Sequence, residues 1–235
     1  MVSADNLPVS HFWYVVEYFW RPNLMFRFCP ERELPPYSYV PGRFPHPISD
    51  PNGHSYKLNE IPNEREPSSL CRPPGLASAW QKSHDYLFGI DLFNHEFYWE
   101  AHETWEQLWI RFGRSGRDAD FLKGLIKLAA AGVKAREGRP VGIQRHACRA
   151  RDLFRLVLET TTEHQPPIHF GGLYLQSLCE AAETIAAKAN SIACQSDELT
   201  ALPLTLFPRD FKSEDLHQNS SILPEPATNK NDLPN

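Results

Sequence analysis

The chain has 235 residues, with 24 Lys and Arg against 29 Asp and Glu, so its formal net charge is −5 at neutral pH. This balance excludes a strongly basic nucleic-acid-binding protein. A hydrophobic fraction of 41% excludes an acidic disordered chain. The sequence contains no run of about 18 apolar residues, the length that a membrane-spanning helix needs. The residues before Phe12 lack the Lys or Arg of a secretory signal. We therefore expect a cytoplasmic protein with neither nucleic acid nor membrane among its partners.

The prolines divide the chain. Thirteen lie in residues 1–75, none in 76–139 and eight in 140–235. Because proline is excluded from helix interiors, this distribution predicts a Pro-rich irregular N-terminal arm over 1–75 and a helical domain over 76–192. A C-terminal tail over 193–235 follows, polar and without aromatic residues from about 213, where we predict disorder. The start of the chain is left open between Met1 and Met25, because the first 24 residues share little character with the rest.

Hydrophobic periodicity predicts helices at about 76–88, 90–112, 118–137, 140–162 and 171–190. Asp118 or Asp120 is expected to cap the third helix, Gly138 to end it and Pro140 to open the fourth. Short connections favour antiparallel neighbours. The predicted fold is therefore all-α, a bundle of about five helices with an irregular strap before it.

The segment 93–109 carries the strongest chemical signal, because its sequence is FNHEFYWEAHETWEQLW. As one helix it presents a face of acidic and imidazole side chains opposite an aromatic wall. The members of that face are His95, Glu96, Glu100, His102, Glu103 and Glu106. His102 and Glu106 are four residues apart and predict two ligands of a divalent metal such as zinc, manganese or iron. Glu100 or Glu103, beside aromatic surface, is expected to act as a general base.

Three functions compete on this segment. The first is metal-assisted hydrolysis. The second is a non-enzymatic module that binds a small molecule or a protein through an aromatic-lined groove, in which the Glu/His cluster is only a structural polar network. The third is a metal-independent enzyme with two carboxylates. The next predicted helix could supply ion-pair partners for the glutamates through Lys123, Lys127, Lys134 and Arg136. Self-association into a homo-oligomer is left open.

Two further groups are candidates. Residues 35–56 read PPYSYVPGRFPHPISDPNGHSY, and their prolines forbid a helix. We expect an ordered strap that lays His46 and His54 over the His102/Glu106 face and completes a metal shell; in the alternative, these histidines only form hydrogen bonds. A basic group on the fourth helix is expected either to bind an anion or to be a solvated face. It consists of Arg139, Arg145, His146, Arg149, Arg151 and Arg155.

The segment 93–109 resembles the signature of domain-of-unknown-function family 309, which has a FN…FYEAHExxExxW helix followed by a FLxGLIQLAAA helix. The second helix corresponds to FLKGLIKLAAA at 121–131, and the resemblance covers about 87–158. It implies a small all-helical bundle and a metal-dependent hydrolase whose site includes Glu100, His102, Glu103 and Glu106.

Two lysines depart from the family pattern. Lys127 stands where glutamine is usual, and Lys134 stands near where many members have histidine. Each would repel a metal cation but could neutralise the glutamates. We take Trp105, Trp109 and Lys127 as candidate ligand-binding residues.

Overall fold

A computed structural model describes residues 26–56, 75–161, 168–194 and 201–209. Within these ranges the chain forms seven α-helices, one 3-10 helix (Trp80–Lys82) and one small β-hairpin. The helices are α1 (Leu76–Ala79), α2 (His84–Asn94), α3 (Tyr98–Arg111), α4 (Arg117–Arg136), α5 (Pro140–Thr160), α6 (Leu175–Ala187) and α7 (Ala189–Ala193). The hairpin pairs β1 (His169–Phe170) with β2 (Leu173–Tyr174) in antiparallel register. The prediction of a mostly helical bundle is confirmed.

The long helices pack in chain order. Contacts join α2 to α3, α3 to α4, α4 to α5 and α5 to α6. Their inner faces form one hydrophobic core, whose largest fully buried side chains include Trp105, Tyr86, Phe93, Phe121 and Phe154. Burial of such faces, rather than helix propensity, supplies most of the stability of helices in proteins.

The fourth and fifth predicted helices have different outcomes. α5 begins at Pro140, as predicted, because proline at the first helical position loses no backbone hydrogen bond. The predicted helix over 171–190 starts at Leu175 instead. Gly171 and Gly172 have φ values of 60° and 75°, and two such residues form the tight turn of a hairpin.

The predicted boundary between the first two long helices was wrong. The break lies at 95–97, not at 89, and it is formed by Glu96, whose φ is 69°. The Glu96 N–H donates to the Phe93 carbonyl at 3.0 Å, and the Phe97 N–H donates to the Leu92 carbonyl at 2.8 Å. α4 is also capped differently from the prediction. Its N-cap is Gly116, and the Asp118 carboxylate accepts the Leu76 N–H at 2.6 Å.

Residues 26–56 contain no helix or strand, as predicted for the arm, and they are called the strap below. The strap is joined to α2 by Asp91, whose carboxylate accepts the N–H groups of Phe28 at 2.7 Å and Cys29 at 2.8 Å. The choice between Met1 and Met25 and the predicted disorder from about 213 fall outside the described residues. The division into arm, domain and tail stays a prediction.

No helix in the described ranges is both long and apolar enough to cross a membrane. The cytoplasmic location stays a prediction.

Candidate functional site

The turn at 95–97 divides the predicted acidic face. His95 and Glu96 precede α3, so they are not on the helix that carries His102. The Glu96 carboxylate pairs instead with the Arg136 guanidinium of α4. The remaining four members of the face, from Glu100 to Glu106, all lie on α3.

Three of these four side chains converge. One ligand atom from each of His102, Glu103 and Glu106 lies within 4.8 Å of the other two. The His102 Nδ1 atom is 3.4 Å from Glu103 Oε1. It is buried and forms no hydrogen bond with any residue that the structure describes. All three residues are half-buried. One imidazole nitrogen with two carboxylates is a donor set that suits zinc, manganese or iron.

Glu100 lies against the strap. Its Oε1 atom accepts the Tyr39 N–H at 2.9 Å and is 3.2 Å from His54 Nε2. Its Oε2 atom is buried and has no hydrogen-bond partner in the described part of the chain. Burial raises the pKa of the Glu100 carboxyl, while the Tyr39 N–H and His54 oppose the rise. Glu100 therefore holds the strap on α3.

The two strap histidines have separate environments. His54 Nδ1 is 2.9 Å from the Ser55 hydroxyl, and its other nitrogen faces Glu100. His46 Nδ1 accepts the N–H groups of Ile48 at 3.2 Å and Ser49 at 3.3 Å. Its ring packs edge-on against Trp99 with centroids 5.4 Å apart. Neither histidine belongs to the group of ligand atoms around His102.

The three candidate binding residues differ in exposure. Trp105 is fully buried, and its indole N–H donates to the Tyr86 carbonyl at 3.2 Å. Trp109 is half-buried, with Lys123 Nζ 5.5 Å from a ring centroid. Lys127 lines a cavity of about 430 Å³ together with residues of α5.

His146 on α5 lines the same cavity. The pKa of His146 is lowered to about 4, first by burial and then by the charges of Lys127, Arg145, Lys134 and His102. Sequence reasoning placed His146 only among the basic residues of its helix. The helical period shows which residues share one helix face, but it does not show which faces of two helices meet.

The sequence analysis did not identify a second group with metal-ligand spacing. Ligand atoms of Cys29, Glu31 and His84 lie within 4.8 Å of one another. The Cys29 thiol donates to the His84 carbonyl at 3.6 Å, and burial raises its pKa to about 12. A thiol must lose its proton to bind a metal, so this group is a weaker candidate than the His102 group. No local pattern joins residues so far apart in sequence.

The described residues form a mostly helical fold with a His/Glu cluster on α3. Residues 86–146 match the family model described as Domain of unknown function (DUF309). The resemblance read from the sequence is thereby confirmed, over a segment that ends within α5 rather than at 158. No curated protein matches the chain significantly.

Proposed function

We propose that His102 and Glu106 bind a divalent transition metal, that Glu103 acts as the general base beside it, and that the metal-loaded site catalyses a hydrolysis reaction. One observation carries the proposal: one ligand atom from each of these three residues lies within 4.8 Å of the other two, and Nδ1 of His102 is buried without a hydrogen bond to any described residue. Buried polar atoms in folded proteins nearly always have a partner. A metal ion would give this nitrogen its partner.

The charges around the group support the same proposal. Within the described residues, neither Glu103 nor Glu106 pairs with a lysine or arginine. Two basic residues of α4 pair with other glutamates, Arg136 with Glu96 and Lys134 with Glu137. Two carboxylates left without a cation of the protein can neutralise a divalent metal ion.

The residues have distinct roles in this proposal. His102 Nδ1 and a carboxylate oxygen of Glu106 would be metal ligands. A bound divalent metal supplies a water molecule of lowered pKa, which can act as the nucleophile of a hydrolase. Of the two candidate bases, Glu103 is favoured over Glu100. Glu103 lies within the group, whereas Glu100 is engaged by Tyr39 and His54.

The alternative is a non-enzymatic helical module that binds a small molecule or a protein. It is favoured by the structural contacts of two predicted site residues, since Glu100 holds the strap and Trp105 is fully buried. In that case the Glu/His cluster positions α3 and binds no metal.

Elemental mass spectrometry of the purified, untagged protein tests the proposal. We expect near-stoichiometric zinc, manganese or iron, and a loss of this metal in His102→Ala. His84→Ala is the matched control, because it removes a histidine from the weaker group and should retain the metal. A metal-free protein after reconstitution, or equal loss in both variants, would contradict a site at His102. A metal-loaded protein justifies a hydrolase screen with Glu103→Gln as the inactive control.

A further inference from the structure

The cavity beside His146 has the size of a small-molecule site. Its volume is about 430 Å³, within the range of about 300–1,000 Å³ typical of ligand pockets. α4 contributes Lys127 to the lining, and α5 contributes the rest. The α5 residues are Arg145, His146, Cys148, Arg149 and Asp152.

The lining is strongly cationic, because three of these side chains are positively charged and one is an acid. Its acid, Asp152, is already engaged by a residue outside the cavity, since Arg151 donates to its carboxylate at 2.8 Å. Lys127, Arg145 and Arg149 form no ion pair with any described residue. The cavity therefore has an excess of positive charge without a protein counter-charge.

The other arginines of α5 show that this is not a general property of the helix. Arg151 lies 3.7 Å and Arg155 3.8 Å from carboxylate oxygens of Glu183 on α6. α5 thus has basic residues with acidic partners on the side of α6, and basic residues without them on the side of the cavity. The first set has ion-pair partners on α6, and the second has none among the described residues.

The pKa of His146 is consistent with this excess of positive charge. Burial lowers it most, and the charges of Lys127 and Arg145 lower it further. At neutral pH the ring is uncharged, so it can donate one hydrogen bond and accept another. The cavity therefore offers two guanidinium groups, one ammonium group and one neutral imidazole.

We propose that this cavity binds the phosphate group of a small phosphorylated molecule. A phosphate monoester has a charge of about −1.5 to −2 at neutral pH and three acceptor oxygens, which matches an excess of two positive charges in the lining. Arginine forks bind such oxygens in a bidentate geometry, and lysine adds a point charge. A carboxylate has half this charge and one acceptor oxygen fewer.

Phosphate binding at this cavity requires no metal and does not rest on the proposed function.

The test is titration calorimetry of the full-length, EDTA-treated protein with inorganic phosphate at constant ionic strength. We expect saturable binding at one site and weaker or no binding of acetate. Arg145→Gln and Arg149→Gln should each weaken phosphate binding about tenfold, because each removes a charge-assisted hydrogen bond. Arg155→Gln is the matched control, with the same charge change on the same helix, and should bind phosphate as the wild type does.

Three results would overturn the proposal: no saturable phosphate binding, acetate binding of equal strength, or equal weakening by Arg155→Gln. Circular dichroism checks that each variant is folded, and both cavity arginines are exposed. The metal content of Arg149→Gln is measured in parallel and should equal that of the wild type. Phosphate binding by a protein that never binds metal would support the cavity and contradict the proposed hydrolase.

Discussion

At the scale of single residues, the absence of one methyl group sets how closely α3 approaches α4. A Cβ atom at Gly132 would overlap the ring of Tyr98, which is 2% exposed. The ring cannot retreat freely, because its hydroxyl accepts the Leu202 N–H at 2.9 Å. Gly132→Ala should lower the free energy of unfolding by about 1–3 kcal/mol, despite a gain in helix propensity of up to about 1 kcal/mol. Urea denaturation followed by circular dichroism measures the change.

Gly75→Ala is the control for this substitution. A Cβ atom there would lie 3.7 Å from the nearest Asp118 carboxylate oxygen, an ordinary van der Waals contact, and the backbone φ of −58° suits alanine. We expect the control to be neutral or slightly stabilising. Equal destabilisation by both substitutions would show that the Tyr98 ring is not the cause.

At this scale, the sequence predicted part of the geometry of the candidate site. His102, Glu103 and Glu106 were expected on one helix, and their ligand atoms do converge. His95 and Glu96 were wrongly placed on the same helix. Their error has a physical source, because Glu96 has a φ of 69° and glutamate rarely adopts a positive φ. A glycine at position 96 would have indicated the turn, but the residue there is a glutamate.

At the scale of secondary-structure elements, the pKa of His146 depends on charged residues from three helices. His146 is on α5, Lys127 and Lys134 are on α4, and His102 is on α3. Its pKa is lowered to about 4. Burial is the largest cause, and the positive charges of these residues and of Arg145 are the others. Lys127→Gln should raise the pKa of His146 toward its usual value, because it removes a nearby cation. NMR titration of the histidine ring resonances measures this pKa.

Lys123→Gln controls for the loss of one positive charge on α4. Lys123 lies over Trp109 and is not among the causes of the shift, so the pKa of His146 should stay near 4 in this variant. Because the folded pKa is below the usual value of 6.5, the unfolded chain binds more protons between these values. The stability contributed by neutral His146 is thus present above pH 6.5 and is lost as the pH falls through about 4. A wild-type pKa near 6.5 would contradict this account.

The predictability of elements depends on whether their signals are local. α4 and α5 are close to their predicted bounds, because Gly138 and Pro140 mark the junction between them. The hairpin was missed, since two-residue strands have no detectable period. The position of the strap depends on contacts such as Phe28 to Asp91, 63 residues apart, and periodicity carries no information about such pairs.

At the scale of the whole molecule, two segments without helices are fastened near the turn between α2 and α3. Asp91 holds the start of the strap, and Tyr98 and Asn94 hold residues 201–209. Phe28, Leu202 and Leu206 belong to the same hydrophobic core as the helices. The segment that matches DUF309 ends at residue 146, so the core extends well beyond it on both sides.

Asn94 is the sharpest test of this arrangement. Its amide donates to the Leu206 carbonyl at 2.8 Å, and its carbonyl oxygen accepts the Leu206 N–H at 2.8 Å. Asn94 is 8% exposed and Leu206 is 1% exposed. Asn94→Ala would leave both backbone groups of Leu206 buried without a partner, so we expect a loss of about 2–4 kcal/mol in the free energy of unfolding. The Leu206 amide should also exchange with solvent faster than in the wild type.

Gln176→Ala separates this effect from the general loss of a side-chain amide. Gln176 is exposed, and among the described residues its amide bonds to Glu180 on its own helix, at 2.9 Å. Its substitution should change stability by less than about 0.5 kcal/mol and leave the exchange of Leu206 unaltered. If Asn94→Ala behaved like this control, residues 201–209 would not be held by α2. A large loss of stability with rapid exchange at Leu206 would instead make this C-terminal segment a structural part of the helical domain, although it lies outside the DUF309 match.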